Sequence, residues 1–244
     1  MIIDKEKCIG CEECHPYCPV RAIATVDWEG KPVSEIDQDQ CVECGCCYKR
    51  SSICPVDAVS MPKLEWPRSI RENFSNPNTK HPSTNAKGRG TEEMKTNDVT
   101  GRYRPGVTGV AIEMGRPGIG TSVRDLQTVC MALAAFGVAF EPLNPVAALM
   151  ADVKTGKFKE EVLRERVLSA IIEFKIETGR LKSVLEAIKQ IAGQIETVFS
   201  LDLIDRVNAD GSIPTTAIAI EAGYSPRSNT KTNVGLGRPL FKEA

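Results

Sequence analysis

Nine of the ten cysteines in this 244-residue sequence lie between positions 8 and 54, in two groups. The first is Cys8, Cys11, Cys14 and Cys18, with Pro19 directly after it; the second is Cys41, Cys44, Cys46, Cys47 and Cys54, with Pro55 directly after it. Thiolates at i, i+3 and i+6 can wrap one loop around an iron–sulfur cubane, and the fourth, leaving on a short helix with Pro after it, points to a second one. A zinc site would use two C-x2-C pairs across a longer loop, which explains neither the third cysteine at i+6 nor the Cys-Pro ending. A disulfide framework belongs to an oxidising compartment. The start Met1-Ile2-Ile3-Asp4-Lys5 has neither a basic n-region nor an apolar h-region, so a cytoplasmic, metal-binding chain is expected.

With both groups in view, residues 1–61 resemble a bacterial 2[4Fe–4S] ferredoxin. The first group is C-x2-C-x2-C-x3-C-P, and the second repeats it with three extra residues before Cys54. The flanks repeat too: Met1-Ile2-Ile3-Asp4 and Ser34-Glu35-Ile36-Asp37 lead in, and Arg21-Ala22-Ile23 and Asp57-Ala58-Val59 lead out. The resemblance implies crossed ligation, with Cys8, Cys11, Cys14 and Cys54 on cluster I and Cys41, Cys44, Cys47 and Cys18 on cluster II. Cys46 and Cys47 are adjacent, and the x2 spacing favours Cys47; Cys46 is then a free thiol, packed as a small hydrophobe or poised to oxidise. Gly10 and Gly45 suit close approach of backbone N–H groups to sulfur. His15 and Tyr17, beside the first motif, are read as packing or surface residues.

Residues 62–105 change character. Five prolines alternate with Asn, Ser, Thr and Gly, and no apolar periodicity runs through them. The segment is read as an irregular linker or a partner-binding arm, the latter on Trp66, Arg68, Arg71, Phe74, Lys80, His81, Lys87, Arg89, Arg102, Tyr103 and Arg104.

From 106 to 207 the pattern becomes regular. Alternation predicts a strand over 107–114, and Thr121 or Ser122 can cap a helix with Val123, Leu126, Val129, Cys130, Leu133 and Phe136 on its apolar face. Gly137 ends it and a strand follows at 138–140. After a helical insertion near 145–162 the unit recurs as a strand over 167–176, a helix over 180–190 and a strand over 197–204. Two such units predict a split-βαβ α+β sandwich, which resembles an ACT-like domain by topology alone. Apolar residues are expected on both sheet faces, and with them a homo-oligomer. The turn-rich 115–120 loop does not fit G-x-G-x-x-G, and Cys130 reads as core. Residues 208–244 read as an irregular tail, with one further strand possible over 213–220. The fold class expected is α+β throughout.

Composition narrows the functions. Apolar residues make up 41% and charged residues 26%, within the range of globular proteins, and the net charge is −1. There is no basic stripe and no helix-turn-helix, so nucleic acid is not an expected partner. The longest apolar runs fall short of a membrane span. Residues 1–61 carry 6 Lys/Arg against 11 Asp/Glu, and this acidic head suits docking on a basic partner. No Ser/His/Asp set or flavin motif supports a separate catalytic centre, and the two histidines are His15 and His81. The expected function is low-potential electron transfer to or from a redox partner or catalytic subunit; the alternative is a redox-coupled, metabolite-sensing regulator.

Overall fold

The computed structural model describes residues 1–48, 53–85, 87, 101–116 and 118–226. The middle of the insertion before Cys54, Arg89 of the basic segment, and the tail beyond 226 lie outside these residues.

Two short antiparallel pairs build the N-terminal unit. Strand β1 (Ile2–Ile3) pairs with β4 (Val59–Ser60), and β2 (Ile23–Trp28) pairs with β3 (Lys31–Ile36). The β2–β3 hairpin turns on Glu29 and Gly30, both at positive φ (52° and 79°), as a two-residue turn matched to strand twist requires. Buried side chains between the pairs include Met1, Ile3, Ile23, Ile36 and Val59, together with three cysteines.

Helix α1 (Ser69–Ser75) follows. Its Ile70 and Phe74 are each 1% exposed and belong to the core of the C-terminal body, and further along Tyr103 covers Gly109. The described part of 62–105 is therefore not an irregular linker: it carries a packed helix. Seven residues make too few turns for an apolar period to stand out among the surrounding prolines. Here His81 stacks edge-on against Phe74, 4.9 Å between ring centroids, and burial pushes its pKa down to about 4. Unfolded, the ring titrates near 6.5, so it binds more protons in the unfolded state between the two values. Stability should therefore be lost as pH falls from about 6.5 towards 4, by up to about 3 kcal/mol at about 1.4 kcal/mol per pH unit. Urea unfolding across that window checks this, and His81→Phe should flatten the slope.

The C-terminal body begins with β5 (Val107–Met114), β6 (Thr121–Ser122), α2 (Val123–Ala134) and β7 (Ala139–Phe140). Ser122 caps α2, its hydroxyl accepting from the Asp125 amide at 3.0 Å, as expected. Next come a hairpin of β8 (Met150–Asp152) and β9 (Lys157–Phe158), flanked by 3-10 turns, and then β10 (Arg166–Val167), which pairs with β6. The expected helical insertion over 145–162 is thus a hairpin between turns. Its apolar residues seal the core in short runs rather than along one helical face. Strand β11 (Ala170–Glu177), helix α3 (Leu181–Ile191) and strand β12 (Phe199–Ile204) complete the sheet, whose order is β12-β5-β11-β7 with every neighbour antiparallel. This is βαββαβ connectivity.

Both long helices bury one face, through Leu126, Val129 and Leu133 in α2 and Val184, Leu185 and Ile188 in α3. In register beneath them lie Val110, Ile112, Ile172, Phe174 and Phe140. The opposite face carries Glu113, Glu173, Lys175, Ser200 and Asp202 together with Ala111, Ile171 and Ile204. Apolar residues thus occur on both faces, but unequally: period two sends Phe140, Ile172, Phe174 and Leu201 to the helix side, and the mixed second face lends self-association no support. A final helix, α4 (Pro214–Glu221), stands where the sequence allows a further strand. Its Ile and Thr residues mimic strand composition, but Pro214 opens the first turn and Ala219 packs into the core. Among the described residues, no helix is long and apolar enough to cross a membrane.

Candidate iron–sulfur centre

The sequence repeat becomes a structural repeat with crossed strands. Asp4 leads into Cys8, its amide donating to the Ala58 carbonyl at 2.8 Å; Asp37 leads into Cys41, donating to Ala22 at 2.8 Å. Cys8 then donates to Asp4 (3.0 Å) and Cys41 to Asp37 (2.9 Å), so each acidic residue starts the turn that presents the first thiol. The carboxylates finish it: Asp4 accepts from Glu6 at 3.1 Å, Asp37 from Asp39 at 2.8 Å. Strand β1 enters motif one yet pairs with β4, which leaves motif two. Likewise β3 enters motif two and pairs with β2, which leaves motif one. The last cysteine of each motif is thereby carried toward the start of the other.

The loops are wound alike. Positive φ occurs at Gly10 (68°), Glu12 (59°) and Arg21 (53°), and at the matching positions Glu43 (55°), Gly45 (71°) and Asp57 (50°). This left-handed winding turns consecutive amides toward one side, where thiolate charge can be met by N–H groups. Gly10 has a second constraint, because a Cβ there would lie 2.3 Å from the Pro32 carbonyl oxygen. Gly10→Ala should cost about 1–3 kcal/mol and lower iron loading. Gly30→Ala, with φ of 79° but nothing within 4 Å, should cost only about 1 kcal/mol and leave iron content unchanged. Denaturation midpoints and iron content of both variants check the contrast.

Cys8, Cys11, Cys14 and Cys54 line one small cavity, whose other walls include Ile3, Ile9, Ile53 and Val59. One wall comes from motif one and the other from the end of motif two. Around the second group, Cys47 interacts electrostatically with Cys41 and Cys18, and Cys44 with Cys46 and Cys47. Amides point at sulfur in matched places: Ala22 donates to Cys18 at 3.1 Å, Ala58 to Cys54 at 3.2 Å, and Ser34 to Cys8 at 3.3 Å. Burial pushes the Cys47 thiol up to about 12, with Cys41, Cys18 and Cys14 adding to it; burial also raises Cys14 and Cys41. Cys44 is raised first by its hydrogen bond with Cys46 and then by burial. Soft sulfur donors in an apolar, amide-lined setting suit iron–sulfur chemistry, and iron must displace these protons to bind. No group of three or more His, Cys, Asp or Glu among the described residues is gathered tightly enough for a single metal ion.

Residues 1–61 match the 4Fe-4S dicluster domain family. An uncharacterized ferredoxin of Methanocaldococcus jannaschii is 33% identical over 73 residues, which are 30% of this chain and 90% of that protein. The chain belongs to the ferredoxins. Pyruvate synthase subunit PorD of Thermotoga maritima is 39% identical over 66 residues, covering 27% of this chain and 61% of the relative. A subunit of an ion-translocating oxidoreductase complex from Methanosarcina acetivorans is 39% identical over 54 residues, 22% of this chain but 18% of the relative. The ferredoxin thus spans less than two thirds of either of these two relatives. No solved structure matches it.

Some functional side chains of this ferredoxin were not visible as such. Ser34 meets His15 at 2.9 Å through its hydroxyl, which also bonds Cys14, while its amide meets Cys8. A lone serine on a strand gives no signal for that role. Ala22 and Ala58 stand out in the sequence only as part of the repeated flanks, each four residues after a Cys-Pro cysteine. None of the ten cysteines is joined in a disulfide, and Cys130 is fully buried in α2, as expected of a core residue.

Proposed function

We propose that this ferredoxin carries low-potential electrons between two [4Fe–4S] clusters and a partner oxidoreductase subunit. Cys8, Cys11, Cys14 and Cys54 hold cluster I; Cys41, Cys44, Cys47 and Cys18 hold cluster II. The observation that carries the reading is the crossed pairing of β1 with β4 and β2 with β3, which brings a cysteine of each motif to the other's loop. With all irons bound by thiolate, such clusters exchange single electrons without an open site for substrate. The chain's own part is to hold thiolate charge, through the amides of Ser34, Ala22 and Ala58, and to exclude water with Ile3, Ile53 and Val59. Cys46 is spare, a thiol beside Cys44.

The partner class rests on relatives named as subunits of pyruvate synthase and of an ion-translocating complex. The βαββαβ body, read as ACT-like on connectivity alone, serves to dock that partner. A cysteine set spaced for metal ligation suits a reducing compartment, and we place the protein in the cytoplasm. Native purification under anaerobic conditions tests the partner: an oxidoreductase catalytic subunit should co-purify and reduce the clusters when given its substrate. A chain that emerges alone, and whose clusters no oxidoreductase of its own cell extract reduces or oxidises, contradicts the proposal.

A further inference from the structure

The two cluster loops are not treated alike by the rest of the chain. Helix α1 and the residue that precedes it send two arginines, Arg71 and Arg68, onto the second one. Arg71 is 4% exposed and is the only buried arginine among the described residues. Its Nη1 donates to the carbonyls of Gln38 (2.9 Å), Asp39 (3.2 Å) and Cys41 (2.7 Å), while its Nε donates to the Glu165 carboxylate of the C-terminal body. Arg68 lies beside it, with Nε and Nη2 on Glu43 at 2.9 and 2.6 Å and Nη1 on the Gln38 carbonyl at 3.0 Å. Glu43 is itself 1% exposed and also holds the Met1 amine. The position matching Glu43 in the first loop is Gly10, and there Cys11 is exposed and Ile9 is 60% exposed.

We infer that Arg71, with Glu165 as its counter-ion, is a positioning and tuning residue for cluster II: it fixes the loop that presents Cys41 and holds that cluster's reduction potential up, leaving cluster I untouched. The inference rests on the ligand sets proposed above. Reduction adds one negative charge and moves no bond or proton, so a buried guanidinium aimed at the loop favours the reduced state. Burial weakens solvent screening, which makes one fixed charge count for more here than at the exposed first loop. Glu165 opposes the effect from the other side of the ion pair. Cluster II is in this way coupled to the body on which the unit sits, and a force that shifts α1 against Glu165 reaches its potential.

The two partners of one ion pair then give opposite signs. In EPR-monitored redox titrations of the full-length, cluster-loaded protein, Arg71→Gln should lower the cluster II potential and Glu165→Gln should raise it. Arg71→Lys, which keeps the charge, should stay near the wild type, and cluster I should not move in any of the three. A purely structural role would shift both Gln variants the same way or cost cluster II in each, and either result overturns the inference, as does no shift at all. If Arg71→Gln does not fold, Glu165→Gln decides alone by the sign of its shift. Iron content and the signal lost in Cys44→Ser, measured in the same series, report on the ligand sets separately. A wrong assignment shows there as loss of the wrong signal, whatever the arginine variants do.

Discussion

Cys18→Ser should abolish the cluster signal of the second motif and spare that of the first, although Cys18 sits in the first. The reason is the path of the chain. After Cys18 and its amide donor Ala22, the backbone enters β2, which lies against β3 from Ile23↔Ile36 to Trp28↔Lys31. Strand β3 ends at Ile36, and Asp37 starts the turn into Cys41. Cys18 and Cys41 are therefore two ends of one hairpin, while Cys8 and Cys54 are joined in the same way by β1 and β4. Serine removes a soft ligand, and the expected loss is about half the iron. Cys47→Ser should do the same, whereas Cys46→Ser should keep both clusters. EPR of the reduced variants reads the outcome, and loss of the signal shared with Cys11→Ser variants instead would refute the crossed assignment.

Iron removal should unfold the N-terminal unit and leave the C-terminal body standing. Among the described residues, the N-terminal core has 11 buried apolar side chains, three of them cysteines, against 29 in the other core. A unit of about 60 residues is marginal even with a full apolar core, and this one has thiols in place of aliphatic groups. Metal–thiolate bonds supply the missing stability, so chelation removes it. The body's core holds Ile112, Met114, Leu126, Ile172 and Leu185 without any cluster ligand. Hydrogen exchange after chelation should show β2 and β3 unprotected and β5 and β11 unchanged. Retained protection in β2 and β3 would mean that their pairing stands without iron.

How far these features could be read from sequence follows from what fixes each of them. Thiolates that bind a cluster cannot be exchanged for other side chains, and the loop around a cluster fixes their spacing, so the ferredoxin character of residues 1–61 was legible from the two cysteine groups. The strands over 107–114 and 170–177 and the helices over 123–134 and 181–191 were legible because each buries one periodic face and α2 carries a serine cap. Where burial is not periodic, reading failed. Helix α1 has too few turns, α4 is built of β-branched residues, and the 145–162 segment fills its place with turns and a hairpin. The inequality of the two sheet faces is not legible either, because alternation shows that two faces differ without showing which of them meets the helices. Arg71 was seen only as one charge in a basic stretch; its role depends on carbonyls 30 to 33 residues away in sequence.

Iron and acid-labile sulfide per chain, determined on anaerobically purified protein together with an EPR spin count after reduction, test the central claim most directly. Two cubanes require about eight iron, about eight sulfide and about two spins. Reproducible values near four iron and one spin would mean that the insertion before Cys54 has cost the chain a cluster, and would contradict two-cluster electron transfer.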